Sequence, residues 1–257
     1  MPLAPDGAGN DLSAWRLNTW STCPLKYKFK YIDGLAAPPA AGEFVRKMVY
    51  GLLEHYYRRK QAGEPLSAVD LAQHLRERWH GAALASGVRF ASAAEEQGAR
   101  QQTLGLLAAY VSRVPPDEPR PLEVKRRLEA PLIDPTTGED SGLRLVGIID
   151  LLLPEANGPL IVEFKVTAQN RQRLEVAHEI QFACTAYLLR HAYQGMAETG
   201  FEVCQLVKTK TPQVVWGRYA AREEVHFRRL FAMIRAYLDD LDAKRLIFRP
   251  GEACSYC

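Results

Sequence analysis

The stretch from Gly147 to Lys165, GIIDLLLPEANGPLIVEFK, constrains this chain more than any other. Two apolar runs flank Pro154-Glu-Ala-Asn-Gly-Pro159, a turn-forming segment, and together they predict a β-hairpin. Inside the runs sit three charges that a buried hairpin should avoid: Asp150, Glu163 and Lys165. A four-residue loop at 155–158 puts Asp150 opposite Glu163, and a tighter Asn157-Gly158 loop puts it opposite Lys165. Either register sends all three side chains to one face, because the side-chain period of a strand is two. An odd-length loop would separate them. Two carboxylates facing each other across a strand pair repel, and burial raises the cost. The Lys165 ammonium cannot bridge both, whereas a divalent cation could.

These residues alone leave two readings open. In one, Asp150 and Glu163 hold Mg²⁺ or Mn²⁺ through hard oxygen ligands. The metal then lowers the pKa of a bound water and neutralises charge in a phosphodiester transition state, while Lys165 orients that water. In the other, the three charges form a cross-strand salt bridge at a sheet edge.

At 257 residues, 47% hydrophobic and 25% charged, the chain can bury a sizeable core in one large domain or two small ones. A net charge of +3 permits an anionic partner without announcing one. No apolar run approaches the roughly 20 residues needed to span a membrane. The N-terminus MPLAPDGAGNDL lacks the charged-then-apolar order of a secretory signal, so a cytoplasmic location is the default expectation. Five cysteines, an odd number, argue against a secreted disulfide framework. Cys254-x-x-Cys257 points to metal or redox chemistry in a reducing compartment.

Along the chain, residues 1–12 read as a disordered tail rich in Pro, Gly and Ala. Residues 13–115 read as a helical region packed on the core. Within it, Ser21 or Thr22 is the expected cap of a helix that accommodates Pro24 and carries Cys23, Tyr27 and Tyr31 on one side. Further helices are expected at 43–61, 67–85 and 93–113. Residues 116–247 read as the core, with strands at 121–133, 143–153, 159–166, 201–209 and 213–219, and helices at 175–193 and 221–244. The last segment, 248–257, is a cysteine-bearing tail. This order of elements predicts an α/β fold.

Four segments, in order, give the chain a family resemblance. Leu17-x-x-Trp20-x-x-Cys23-Pro24-x-x-Tyr27-x-x-x-Tyr31 resembles an N-terminal CP-x-x-Y/F-x-x-x-Y segment. Gly147-x-Ile149-Asp150 followed by Glu163-Phe164-Lys165 is similar to a GxxD…ExK core. Gln181 sits where a QxxxY glutamine is expected, and Phe248-x-Pro250…Cys254-x-x-Cys257 resembles an FxP…CxxC tail. Together they resemble the RecB/AddB-like branch of the PD-(D/E)XK nuclease superfamily, which includes the CRISPR-associated iron–sulfur exonucleases.

The resemblance implies a restriction-endonuclease-like core: a mixed central sheet flanked by helices, preceded by the helical region. It implies a metal-dependent DNA nuclease, exo or endo, with Asp150, Glu163, Lys165 and Gln181 as catalytic residues. The metal would rest on Asp150, Glu163 and a main-chain carbonyl such as that of Phe164. Cys23, Cys254 and Cys257 would be ligands of a [4Fe–4S] cluster, with zinc as the rival metal. The fourth cysteine of that pattern is absent from this chain. Tyr50 stands where the pattern has a metal-binding histidine, and Thr185 where it has the tyrosine after Gln181.

Implied partners are single-stranded DNA or DNA ends, in a helicase, CRISPR or repair complex. Tyr27, Tyr31 and Tyr187 are candidates for contact with DNA. Basic groups at Lys125-Arg126-Arg127, Arg171, Arg173, Lys208, Lys210 and Arg228-Arg229 could neutralise phosphates. The absent histidine and cysteine leave a catalytically weakened DNA-binding scaffold as the alternative, with an RNA- or nucleotide-processing hydrolase as a third. There is no base-reading motif and no phosphate-binding GxxxxGK[ST] loop.

Overall fold

The computed structural model describes residues 10–35, 39–169, 175–194, 196–251, 254 and 257. Its frame is a six-stranded mixed sheet: β1 (Asp11–Leu12), β2 (Glu123–Ile133), β3 (Asp140–Glu155), β4 (Gly158–Thr167), β5 (Gly200–Val207) and β6 (Gln213–Ala220). The helices are α1 (Ala14–Thr22), α2 (Pro24–Tyr27), α3 (Ala41–Gln61), α4 (Ala68–Ser86), α5 (Ala93–Val111), α6 (Glu179–Ala192) and α7 (Glu224–Asp242). β2, β3 and β4 run antiparallel in sequence, and β4 and β5 pair in parallel. A parallel pair needs a crossover, and α6 supplies it. β6 then closes on β5 as an antiparallel neighbour.

Helices cover both faces, so the central strands read as continuous apolar runs rather than strict alternations. On one face Leu145, Ile149, Ile161, Phe201 and Val203 pack with α1, α6 and α7. On the other, Leu151, Leu153, Leu160, Val162 and Phe164 pack with α3, α4 and α5. α4 and α5 start on serine caps, Ser67 and Ser92, whose hydroxyls accept the Asp70 and Glu95 amide protons. Among the described residues, no helix is long and apolar enough to cross a membrane.

The β3–β4 loop is tighter than the four residues expected. Glu155 pairs with Gly158 and Pro154 with Pro159, so only Ala156 and Asn157 are outside the ladder. The pair sum is nonetheless that of the four-residue reading, which carries Asp150 opposite Glu163. Gly158 makes this turn possible, since its φ is +139° and an added Cβ would lie 2.8 Å from the Ala197 carbonyl oxygen.

The N-terminus differs from its expectation. Of the tail expected at 1–12, residues 1–9 lie outside the described residues, while Asp11–Leu12 form a strand parallel to Arg144–Leu145. An Arg144–Asp11 ion pair of 2.8 Å holds it there. An additional helix begins at Ala14, capped by Ser13, while the helix expected to accommodate Pro24 begins at that residue, capped at Cys23 and not at Ser21 or Thr22. The hydroxyls of Ser21 and Thr22 instead turn back to the Asn18 carbonyl. Cys23 occupies the cap of α2, and the chain continues into a π-helical turn at Lys28–Ile32.

Gly158→Ala combines a left-handed backbone with a backbone clash, and should destabilise the protein by about 2 kcal/mol. Urea unfolding reads this directly. An unchanged midpoint would mean that the turn has another way to close.

Candidate active site

β2 and β3 share an irregularity that sets the site. On β3, Leu145 and Ile149 face the α6 side, whereas Leu151 and Leu153, at positions of the same parity, face the α3 side. On β2, Val124 faces the α3 side and Leu128, Ala130 and Leu132 the α6 side. Both strands therefore change faces at one level, and the regular pairing omits Lys125 and Asp150 there. Lys125 is left-handed, with φ +49°. For a residue with a Cβ this costs about 1–2 kcal/mol, and the two strands keep one register on either side of it.

The re-aimed side chains meet. The Lys125 ammonium donates to Asp150 Oδ1 at 2.5 Å and lies 5.1 Å from the centre of the Tyr50 ring. Asp150 Oδ2 accepts the Phe164 amide proton at 3.0 Å. A side chain thus replaces the ladder where β3 and β4 separate, beyond the Leu151–Val162 pair.

Glu163 and Lys165 follow from the β4 period. Ile161 belongs to the α6-side core and Val162 and Phe164 to the other, so Glu163 and Lys165 point to the α6 side. Glu163 is 7% exposed, and its Oε1 is buried with no hydrogen-bond partner among the described residues. Burial pushes its carboxyl up from the ordinary 4.5 to about 7, and the charge of Asp150 adds to the rise. Lys165, the Gln181 amide and Lys125 pull it down. The Lys165 ammonium lies 3.8 Å from Glu163 Oε2 and 2.7 Å from His178 Nδ1.

His178 and Gln181 are three residues apart at the start of α6, so one helical turn serves both members of the Glu-x-Lys pair. His178 is buried, with its ring stacked on Phe182 at 5.0 Å. Buried Arg222 anchors this turn by ion pairs with Glu175 and Glu179, the second at 3.4 Å. The Arg222 amide donates to Glu198 at 2.7 Å, and Arg190 closes on Glu198 through two guanidinium nitrogens.

The residues present suit a hard divalent cation. Magnesium is commonly held by one or two carboxylates and several waters. Asp150, Glu163 and the Phe164 carbonyl would be the protein's donors, and the partnerless Glu163 Oε1 is a buried acceptor in need of one. Tyr50 does not complete the set. Burial and the Asp150 charge push its phenol up to about 12, and its oxygen already accepts the Val166 amide proton at 3.4 Å. A neutral phenol is a weak ligand.

The cysteine expectation fares differently. The tail does run beside Cys23, since Leu25 N–H donates to the Ile247 carbonyl and Arg249 to that of Ser21. Burial pushes the Cys23 thiol up, yet amide protons of Arg249, Lys26 and Leu25 and the Arg249 charge outweigh it and leave the thiol lowered. Cys254 and Cys257 are exposed. A [4Fe–4S] cluster takes four thiolates. Cys23, Cys254 and Cys257 would supply three, and no three His, Cys, Asp or Glu among the described residues converge on a metal position.

Two of the tyrosines expected to meet DNA are committed elsewhere. Tyr27 is 1% exposed, with its hydroxyl 2.6 Å from that of Tyr237, so it stacks on no base. The Tyr187 hydroxyl donates to the Pro131 carbonyl and accepts from the Ile133 amide, tying α6 to β2. Tyr31 packs 5.0 Å from Tyr27 and under the Lys30 ammonium. Gln181 bonds to Thr185, the residue at the place of the expected tyrosine, at 3.3 Å. Arg171 and Arg173 lie outside the described residues. Of the site neighbours, Lys125 was expected only within a basic group that could neutralise phosphates, and His178 was given no role.

A family model described as the PD-(D/E)XK nuclease superfamily matches residues 11–257, which contain every feature above. The chain belongs to the PD-(D/E)XK nuclease superfamily. Its α/β architecture is accordingly of the restriction-endonuclease-like kind. A crystal structure of a candidate exonuclease from Eubacterium rectale is similar, with TM-score 0.57 and 12% identity over 92% of this chain and 82% of that one. At that identity the likeness shows the fold alone. The structure of SSO0001 aligns at TM-score 0.35 and 12% identity, covering 83% of this chain and 84% of its own. No curated protein matches the sequence.

The raised Glu163 carboxyl makes stability depend on pH. Between about 4.5 and 7 the folded protein keeps a proton that the unfolded chain releases, so stability falls as pH rises through that window. The loss should reach ~3 kcal/mol, and Glu163→Gln in EDTA should remove it. The variant should melt above the wild type at pH 8 and converge with it toward pH 4.5. Equal melting temperatures at pH 8 would refute the burial of this carboxylate.

Proposed function

We propose that this protein is a divalent-metal-dependent deoxyribonuclease that hydrolyses phosphodiester bonds in single-stranded DNA or at DNA ends. The observation that carries the reading is Glu163, a carboxylate buried on a central strand with one oxygen lacking a partner. A protein that needed only a stable sheet would do better with an apolar residue there, because an uncompensated buried charge costs several kcal/mol.

A bound Mg²⁺ or Mn²⁺ would supply Lewis-acid stabilisation of phosphoryl charge and an acidified water. Asp150 and Glu163 would hold the ion, with their positions fixed by the Phe164 amide and by the walls of the α6-side core. Lys165, held between Glu163 and His178, would place a positive charge on the reacting phosphate and attacking water. Gln181 would restrain Glu163 from the other strand-facing position of the same helical turn. The basic residues around the site, Arg126 and Arg127 on β2 among them, would neutralise backbone phosphates without reading bases.

A DNA-binding scaffold with weakened catalysis is the second reading, and Tyr50 favours it because α3 brings a neutral phenol, not a third ligand, beside Asp150. Metal dependence separates the two. A nuclease should cleave single-stranded DNA in Mn²⁺ and lose cleavage at least 10³-fold in Asp150→Asn, Glu163→Gln and Lys165→Met. A scaffold should bind DNA equally in Mn²⁺ and EDTA and cleave none. A helicase, CRISPR or repair complex is the proposed setting, since an end-processing nuclease without a phosphate-binding loop needs another protein to expose its strand.

His178→Phe keeps the stacked ring but removes the acceptor facing Lys165. It should lower kcat about 10–100-fold with little change in KM for DNA, as loss of an orienting partner does. Single-turnover cleavage measures it, and an unchanged kcat would remove His178 from the site.

A further inference from the structure

The function proposed above leaves Lys125 unexplained. This residue sits at the one level where β2 and β3 both change faces, in a left-handed backbone that sequences usually give to glycine or asparagine. Its stem crosses to Asp150, and its ammonium meets one carboxylate oxygen at 2.5 Å while resting 5.1 Å from the Tyr50 ring centre. An anion on one side and an aromatic face on the other make a cation-binding position. The side chain is about one-fifth exposed, and so is that of Asp150, so water screens the contact only in part. Three facts therefore converge on one ammonium: a strained backbone that delivers it, a carboxylate that accepts it, and a ring that underlies it.

We propose that Lys125 is a resident counter-cation of the nuclease site, competing with the divalent metal for Asp150. Its ammonium offsets the charge of Asp150 beside buried Glu163, and it must leave Asp150 Oδ1 when a metal takes that oxygen. Two like charges cannot share one carboxylate oxygen without strong repulsion. The tyrosine at position 50 is part of the same arrangement, because its ring supports the ammonium. Metal occupancy is then set by a contest within the chain: the site fills only when metal, aided by the phosphates of bound DNA, outcompetes Lys125. Displaced, the ammonium remains on a long flexible stem at the mouth of the site.

This inference rests on the metal-site reading, and calorimetric titration of the DNA-free full-length protein with Mn²⁺ tells the two apart. Lys125→Met should bind Mn²⁺ at least tenfold more tightly than wild type, and Lys125→Arg, which keeps the charge, no more tightly. In EDTA the Lys125→Met variant should melt below wild type, and saturating Mn²⁺ should raise its melting temperature by more. Adding Asp150→Asn to Lys125→Met should abolish the gain in affinity and restore melting in EDTA. If wild type binds Mn²⁺ and Lys125→Met binds it equally or more weakly, Lys125 supports the ligands and does not compete, and the inference is wrong. If neither protein binds Mn²⁺, the metal-site reading fails and takes this one with it. A melting temperature unchanged by Mn²⁺ in Lys125→Met, despite calorimetric binding, would place the ion away from Asp150 and also overturn it.

Discussion

A carboxylate taken out of water must find compensation or give up its charge. Glu163 lies on β4, a strand with neighbours on both sides and helices over both faces, and much of the surrounding construction answers that one burial. Lys165 follows two residues later because the strand period returns there. α6 then returns across the sheet, as the parallel β4–β5 pair requires, and lays its first turn over both side chains. The crossover that satisfies sheet topology is also the element that brings His178 and Gln181 to the site.

The opposing carboxylate comes from the β3–β4 register, which carries Asp150 toward Glu163. It sits at the level where β2 and β3 break their ladder together beside a left-handed lysine. Rigid surroundings keep that strain from relaxing. Below the sheet Tyr57, Tyr110 and Phe164 pack ring against ring, and on the far side Arg222 is fixed among three glutamates. Strain held by a stiff frame is the usual condition of a pre-organised site. This hairpin is where the chain departs furthest from what stability alone would choose.

The hairpin was legible in the sequence because charges stand out against apolar residues, and the turn's proline and glycine bound its register. The loop turned out two residues long, but both it and the four-residue reading keep the same pair sum. The flanking strands and long helices were legible for similar reasons of period and length. Lys125 was not. A lysine between valine and arginine carries no left-handed signal, and its partner lies 25 residues away. His178 was hidden for a different reason, since His-Glu-Ile-Gln reads as an ordinary helix start until β4 is placed beneath it. β1 is two residues long and pairs 133 positions away, so no local pattern could announce it. Tyr27 shows the opposite error: an aromatic at helical spacing is exposed or buried according to the neighbouring helix, and here α7 covers it.

β1 has one further implication. β2 takes one edge of β3 along most of its length, so β1 and β4 must divide the other edge between them. β1 holds Arg144–Leu145 and β4 holds Leu151–Glu155, and residues 146–150 between them pair with neither. The sheet therefore has a slot in it, bounded by a strand from each end of the fold, and Asp150 stands at its inner corner. A slot of this kind has one fixed wall and one short, separately anchored wall, zipped by two residues and an Arg144–Asp11 clasp. One boundary of the open edge beside Asp150 is thus set by Asp11–Leu12, far in sequence from the carboxylates.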